Sequence, residues 1–223
     1  MPSAALLLLL LTLPGLQTPQ KPVDPLLRRE PAQVMDPSEA GWLTRSEREE
    51  EEQPEMLLDA LNIKPGDVVA DVGAGVGYFS LRLANRVGEN GRVLAQDLQQ
   101  EMLDELVRNR DGLGLKNIEP ILGTPLDPNL PVNSVDLALL VDVYHEFSNP
   151  VEMMEGIRAS LKANGRLVLV EYRAEDPAIP IAPRHKMTER QVLEEIVPMG
   201  FRHLETLEIL PRQHIIVFAK QVH

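Results

Sequence analysis

The chain has 223 residues, 43% of them apolar and 25% charged, and a formal net charge of -12 at pH 7. This length and composition are typical of one folded domain with a full hydrophobic core. The acidic balance disfavours a nucleic-acid partner, because binding to phosphates needs a clustered Lys and Arg surface. The sequence has no cysteine, which excludes disulfides and thiolate sites, and its five histidines show no ligand-like pair. It therefore predicts no metal site and disfavours a metal-dependent, catechol-type mechanism.

Residues 1 to 20 have the pattern of a targeting leader. An apolar run over residues 4 to 13 ends at Pro14-Gly15, and a polar stretch follows. The run is too short to span a bilayer, so we expect no stable membrane insertion beyond the leader. We predict export, to the periplasm or outside the cell. No Lys or Arg precedes the run and no small-x-small cleavage site follows it, which leaves an uncleaved anchor or a misassigned start, with a cytoplasmic protein, as alternatives.

Prolines are frequent over residues 21 to 41, which we interpret as an extended linker. The domain itself is predicted to cover residues 42 to 223. It opens with a helix from Ser46, in which the acidic residues 49 to 52 form a solvated face and an apolar face follows from Met56.

From Lys64 onward, strand-like and helix-like segments alternate, which is typical of right-handed βαβ units and a parallel sheet. The predicted strands are residues 68–72, 92–97, 118–122, 135–141 and 166–172. The predicted helices are residues 79–87, 101–110, 151–161 and 188–199. Two further strands, 203–210 and 214–219, follow each other without a helix, so at least one strand runs antiparallel. The predicted fold class is α/β, a doubly wound Rossmann-like sheet that binds ligands at the carboxyl ends of its strands.

A glycine loop joins the first predicted strand to the next helix. Gly73, Gly75 and Gly77 have the spacing G-x-G-x-G, and Tyr78 stands where the dinucleotide fingerprint needs its last glycine. This argues against NAD and FAD. Asp71, two residues before the first glycine, fits a ligand with a cationic amine better than one with a pyrophosphate.

Asp97 ends the second predicted strand, twenty residues after Gly77. A carboxylate at that position can accept both hydrogen bonds from a ribose diol. The site so drawn suits an adenosine with an amino-acid tail. The simpler alternative is a plain strand-to-helix turn followed by an ordinary acidic residue.

Residues 64–75 and 161–167, with the strand that ends at Asp97, resemble class I S-adenosylmethionine (SAM)-dependent methyltransferases, particularly the small-molecule enzymes of the ubiquinone/menaquinone-biosynthesis-like group. The resemblance covers residues 57 to 219, and Ala163-Asn164-Gly165 stands where such families usually carry Pro-Gly-Gly. It implies SAM as the cofactor and a seven-stranded sheet of order 3-2-1-4-5-7-6 with an antiparallel strand 7.

The resemblance also implies roles for cofactor residues. The loop from Asp71 to Gly77 would lie under the methionine part of SAM, Asp97 would bind the ribose and Leu98 would pack against adenine. Asp142, directly after the fourth strand, is counted with the cofactor-binding residues.

The acceptor is predicted to bind after the fourth strand, where His145 and Glu146 stand. His145 could act as a general base toward a hydroxyl, and Glu146 or Asp142 could orient its ring or bind the acceptor. The run from His145 to Asn149 resembles the His-Asp-Trp-Ser-Asp segment of small-molecule O-methyltransferases, whose histidine is a base. A purely positioning or core histidine is the alternative. Glu171, at the end of the fifth strand, is a further candidate at the same rim, and His185 lies in the proline-rich insertion before the last helix, where a lid over the acceptor would belong.

The sequence thus predicts a methyltransferase that moves the methyl group of SAM to a small molecule. Two alternatives stay open at this point, namely a non-catalytic SAM- or nucleoside-binding module and a methyltransferase of protein side chains. The sequence identifies neither the acceptor nor the oligomeric state.

Overall fold

A computed structural model describes residues 29 to 221. The predicted leader, residues 1 to 20, and the first part of the predicted linker, residues 21 to 28, lie outside the described residues. Within residues 29 to 221, no helix has the length and apolar character needed to cross a membrane.

The described chain alternates helices and strands around one sheet. Helices α1 to α6 span Arg48–Glu52, Pro54–Ala60, Tyr78–Val87, Gln100–Gly112, Pro150–Ser160 and Glu189–Ile196. Strands β1 to β8 span Val68–Val72, Arg92–Asp97, Ile118–Leu122, Val135–Val141, Leu161–Arg173, Lys186–Met187, Phe201–Leu207 and Gln213–Lys220. Short 3-10 helices cover Pro37–Thr44, Tyr144–Glu146, Pro183–His185 and Val197–Met199.

The sheet has the order β3-β2-β1-β4-β5-β8-β7, and the short strand β6 pairs with β5. All neighbouring strands are parallel except β8, which runs antiparallel to both β5 and β7. This confirms the predicted doubly wound α/β sheet and its terminal hairpin. The strand that the prediction lacked is β6, whose two residues raise the number of strands from seven to eight.

Both faces of the sheet are buried, as the winding requires. Along β4, Leu137 and Leu139 belong to one apolar cluster with α3 and α4, whereas Ala138 and Leu140 belong to the other cluster with α5 and α6. Each fully buried Leu contributes about 1.5–3 kcal/mol by leaving water. The sheet is therefore a rigid base whose carboxyl-end loops are free to carry chemistry.

The helix predicted from Ser46 is in fact two helices. Gln53 adopts a left-handed conformation with φ 49°, and Pro54 begins α2 because its ring cannot continue the hydrogen bonding of α1. The break turns Glu52 inward, where it is 1% exposed and pairs with Arg45 and Arg48. The expectation that residues 49 to 52 form a solvated face is therefore wrong at Glu52.

The last part of the predicted linker packs on the domain. The Arg29 side chain donates to the backbone oxygens of Tyr144, at 3.1 Å, and His145, at 2.7 Å. Arg29 also pairs with Glu195 on α6 at 3.2 Å, and the amide of Ala32 donates to the His145 oxygen at 2.9 Å. These contacts bring residues 29 to 44 across the carboxyl end of β4.

Candidate functional site

A cavity of 880 Å³ lies at the carboxyl ends of β1, β2, β4 and β5. Its size is within the range of small-molecule sites. Its polar lining residues are Gln33, Asp36, Glu39, Arg48, Gln96, Asp97, Gln99, Asp142, His145, Glu146, Tyr172 and His185. The cavity has two sides, which we call the glycine-loop side (Gly73, Gly75, Asp97 and Leu98) and the histidine side (His145, Glu146 and His185, with the buried Glu171 behind His145).

The glycine-loop side depends on backbone that only glycine adopts easily. Gly73 has φ +75°, and a Cβ there would lie 2.4 Å from Cγ2 of Val143. Gly75 has φ +54°, and its amide donates to Asp97 at 2.8 Å. Both glycines line the cavity. Gly77, with φ +92°, begins α3 instead, and its missing Cβ makes room for Leu106, so it supports the loop from behind.

The two acids that flank the loop are buried differently. Asp97 is 7% exposed, lines the cavity and accepts hydrogen bonds from the amides of Gly75 and Gln99. Asp71 lies beneath the loop, where it accepts a hydrogen bond from Ser80 at 2.6 Å, and it is not among the lining residues. Burial raises the pKa of Asp71 to about 6 and also raises the pKa of Asp97. The other predicted cofactor residue on this side, Leu98, is 42% exposed at the cavity.

Asp142 lies between the two sides. It has a left-handed φ of 52° and accepts a hydrogen bond from Gln213 at 2.6 Å. Its Oδ1 is buried without a hydrogen-bond partner among the described residues. Burial, with the nearby Glu52 and Glu171 carboxylates, raises the pKa of Asp142 well above its ordinary value. A buried acceptor of this kind at a cavity wall is satisfied best by a cationic donor such as an ammonium group.

His145 is held by a buried carboxylate. Its Nδ1 lies 2.6 Å from Oε2 of Glu171, and both side chains are almost fully buried. An ionised carboxylate can only accept hydrogen bonds, so Nδ1 carries the proton of a neutral His145 ring. Nε2 of that ring then has a free electron pair. Burial opposes protonation of His145, but Glu171 outweighs it and the net pKa is raised. Nε2 faces Nδ1 of His185 at 3.1 Å.

Glu146 completes a cluster that the sequence did not predict. One ligand atom from each of His145, Glu146 and His185 lies within 4.8 Å of the other two. Burial raises the pKa of Glu146 to about 7. The sequence shows no metal-binding pattern because His185 stands forty positions after His145, and the two lie in the separate 3-10 helices that follow β4 and β5. Only the fold brings them together.

One group of cavity residues was not predicted from the sequence. The segment from Gln33 to Leu43 lines the cavity, yet its proline-rich composition suggested only a linker. Tyr78, which follows the glycine loop, does not line this cavity. Its hydroxyl donates a hydrogen bond to Glu49, and its ring lies under the Arg48 and Arg82 guanidinium groups. It faces a separate groove between α3 and α4.

Comparison with known proteins connects this geometry to a chemistry. The model of a methyltransferase domain family matches residues 63 to 208. A solved SAM-dependent methyltransferase from Aquifex aeolicus is 29% identical, with a TM-score of 0.79, and the alignment covers 85% of this chain and 100% of that one.

Curated relatives match over a shorter stretch. A protein-L-isoaspartate O-methyltransferase of Methanococcus aeolicus is 30% identical over 51% of this chain and 50% of its own length. A ubiquinone/menaquinone biosynthesis C-methyltransferase of Hydrogenovibrio crunogenus is 28% identical over 52% of this chain and 46% of its own length. The chain thus spans about half the length of these relatives, whose names differ in the atom that receives the methyl group.

Proposed function

Since the chain belongs to the family of SAM-dependent methyltransferases, we propose that it transfers the methyl group of SAM to a small-molecule acceptor bound at the histidine side of the cavity. The observation that carries this proposal is the single cavity that joins Gly73, Gly75 and Asp97 to His145. A cavity of 880 Å³ suits a cofactor and a small molecule rather than an extended polymer.

The residues of the glycine-loop side fit the parts of SAM. In this proposal Asp97 accepts hydrogen bonds from the ribose, and Leu98 covers the adenine. The unpaired Oδ1 of Asp142 binds the ammonium group of the methionine part, which supplies the donor that this buried oxygen lacks. Asp71, beneath the loop, attracts the cationic cofactor through its charge. Its hydrogen bond from Ser80 holds the glycine loop against α3.

SAM supplies a methyl group on a sulfonium sulfur, which an acceptor atom displaces in line. The protein must therefore hold the acceptor in line and exclude water. His145 is fixed for this task by Glu171, so its Nε2 has a defined direction. The hypothesis that His145 removes the proton of a hydroxyl, with Glu146 assisting, stays a prediction. Export through the N-terminal leader also stays a prediction.

A methyl-transfer assay tests the function. Purified protein is incubated with methyl-labelled SAM and a panel of small hydroxyl, amine and carbon acceptors, and label in extractable metabolites is separated from label in protein. We expect label in the small-molecule fraction and formation of S-adenosylhomocysteine. Label that enters only protein would overturn the small-molecule proposal and favour a side-chain acceptor, the class of the Methanococcus relative.

Substitution of His145 tests its assigned place. We expect His145→Ala to bind SAM with unchanged affinity but to lose about 10²–10⁴-fold in turnover, the usual contribution of a base. His203→Ala is the matched control, because His203 bonds Thr206 on β7, away from the cavity. Unchanged turnover of the His145 variant would remove the base hypothesis and leave the methyl-transfer proposal intact.

A further inference from the structure

The histidine side holds more ligand groups than methyl transfer requires. His145 and Glu146 follow β4, and His185 ends the 3-10 helix Pro183–His185. Two imidazoles and one carboxylate are the ligand set of three-residue zinc sites and of other open transition-metal sites. We propose that His145, Glu146 and His185 bind a divalent transition-metal cation such as Zn²⁺ at the acceptor end of the cavity.

The positions of the ligand atoms support this assignment. Nε2 of His145 and Nδ1 of His185 are 3.1 Å apart, close to the roughly 3.4 Å that separates two ligands with bonds of about 2.1 Å in a tetrahedral site. One carboxylate oxygen of the half-buried Glu146 lies within 4.8 Å of a ring nitrogen of each histidine, so all three residues can offer a ligand atom to one cation.

Glu171 provides the outer support that metal-binding histidines usually have. Its Oε2 accepts a hydrogen bond from Nδ1–H of His145 at 2.6 Å, and this directs the free electron pair of Nε2 toward His185. A carboxylate behind a ligand histidine fixes the tautomer and raises the basicity of the ligand. Glu171 is fully buried, an arrangement that suits a permanent orienting role.

Charge gives an independent reason. Glu171 and Glu146 both lie close to His145, and Oε1 of Glu171 is buried without a partner among the described residues. Such a group of carboxylates is costly to bury without a compensating positive charge. A divalent cation between His145, Glu146 and His185 would supply that charge.

Three protein ligands leave one position of a tetrahedral cation open toward the cavity. If the proposed function holds, an acceptor hydroxyl binds there, and the cation lowers the pKa of that hydroxyl. The hydroxyl proton leaves to water, the oxygen forms the bond to the methyl carbon, and the electron pair of the broken carbon–sulfur bond stays on sulfur. This gives His145 the task of a ligand rather than of a base, and it selects acceptors with a coordinating oxygen.

Calorimetric titration of the tag-free, metal-stripped full chain with ZnCl₂ tests the site. We expect one Zn²⁺ per chain, with at least tenfold weaker binding in His185→Ala and Glu146→Gln, and about 10–100-fold weaker binding in Glu171→Gln. If His185→Ala lowers the stability of the protein, His185→Gln is measured in its place. His203→Ala is the control, and we expect it to bind Zn²⁺ like the wild type.

Absence of a saturable one-to-one site, or equal affinity in His185→Ala, Glu146→Gln and the wild type, would overturn the metal site. SAM is titrated into the same proteins in parallel. A wild-type protein that binds Zn²⁺ but not SAM would contradict the proposed function alone. A wild-type protein that binds SAM but not Zn²⁺ would contradict the metal site alone.

Discussion

The two sides of the cavity are assembled in different ways. The glycine-loop side comes from one continuous βαβ unit, in which Gly73, Gly75 and Asp97 lie within twenty-five residues of each other. The histidine side takes His145, Glu171 and His185 from three segments, and Arg29 and Ala32 contact it from a fourth. Residues of one local unit have a fixed spacing that can be recognised in the sequence. Residues from distant segments have no such spacing and appear in the sequence as isolated residues. This difference also predicts which substitutions act on one side and which act on both.

The largest effect is expected for Asp97→Ala, which should act on the glycine-loop side alone. The change removes the acceptor for two ribose hydroxyls, and each hydrogen bond to a charged group is worth about 1.5–3 kcal/mol, so SAM should bind at least roughly 100-fold more weakly. Calorimetric titration with SAM measures this, with NAD in parallel as the ligand that should not bind. Asp104→Ala, on the exposed surface of α4, is the control. A SAM affinity within threefold of wild type would contradict the ribose assignment.

Gly73→Ala should affect both sides, because this glycine touches the segment that carries His145. The new Cβ would meet Val143 at 2.4 Å and would stand at a φ of +75°, so we expect a loss of about 2 kcal/mol in the free energy of unfolding. Urea unfolding measures this loss. In the double variant Gly73→Ala/Val143→Ala part of the stability should return, since the closest methyl group is gone. Purely additive effects would show that the close contact is not the cause.

Arg29→Ala should act on the histidine side alone. The variant loses charged hydrogen bonds to the Tyr144 and His145 backbone and leaves Glu195 without its cation. We expect the KM for the acceptor to rise about tenfold while the Kd for SAM stays within twofold. Arg92→Ala is the control, since Arg92 pairs with Glu119 at the exposed edge of β2. An equal effect on SAM would mean that residues 29 to 44 support both sides.

The smallest effect concerns pH. The pKa of Asp71 is raised to about 6 by burial, and the pKa of Asp97 is raised in the same direction, while Arg48 opposes the shift at Asp71. Below pH 6 the neutral Asp71 attracts the cationic cofactor less, so the SAM affinity should rise between pH 5 and 7, by less than about tenfold. In Asp71→Asn the remaining pH dependence should be shallower. Affinity that falls over this range would contradict the sign.

The sequence predicted the sheet well because each element carries its own periodicity. β1 to β4 have the predicted bounds. β1, β2 and β4 are short and mostly buried runs between turn residues, and β3 is a partly exposed edge strand. The break at Gln53 was missed because Pro54 sits inside an otherwise continuous helical pattern, and with it the burial of Glu52. The short strand β6 was missed because two residues give no pattern.

The site divides in the same manner. The spacing of Gly73, Gly75 and Asp97 in the sequence predicted a ligand-binding loop with Asp97 beside it. All three residues line the cavity, and the Gly75 amide donates to Asp97. The sequence placed His145 and Glu171 at the ends of two strands and His185 in the proline-rich insertion before the last helix, but nothing in the sequence linked one to another. Their hydrogen bonds depend on the register of β4 against β5 and on the loop after β5, which are properties of tertiary packing.

The contact between Arg29 and Glu195 spans 166 positions of the chain. During synthesis the βαβ unit with Gly73 and Asp97 is made long before α6, because the chain is made from its N-terminus. The wall formed by residues 29 to 44 gains its anchor on α6 only after Glu195 has been made. The wall of the cavity beside His145 is thus completed later in synthesis than the glycine loop.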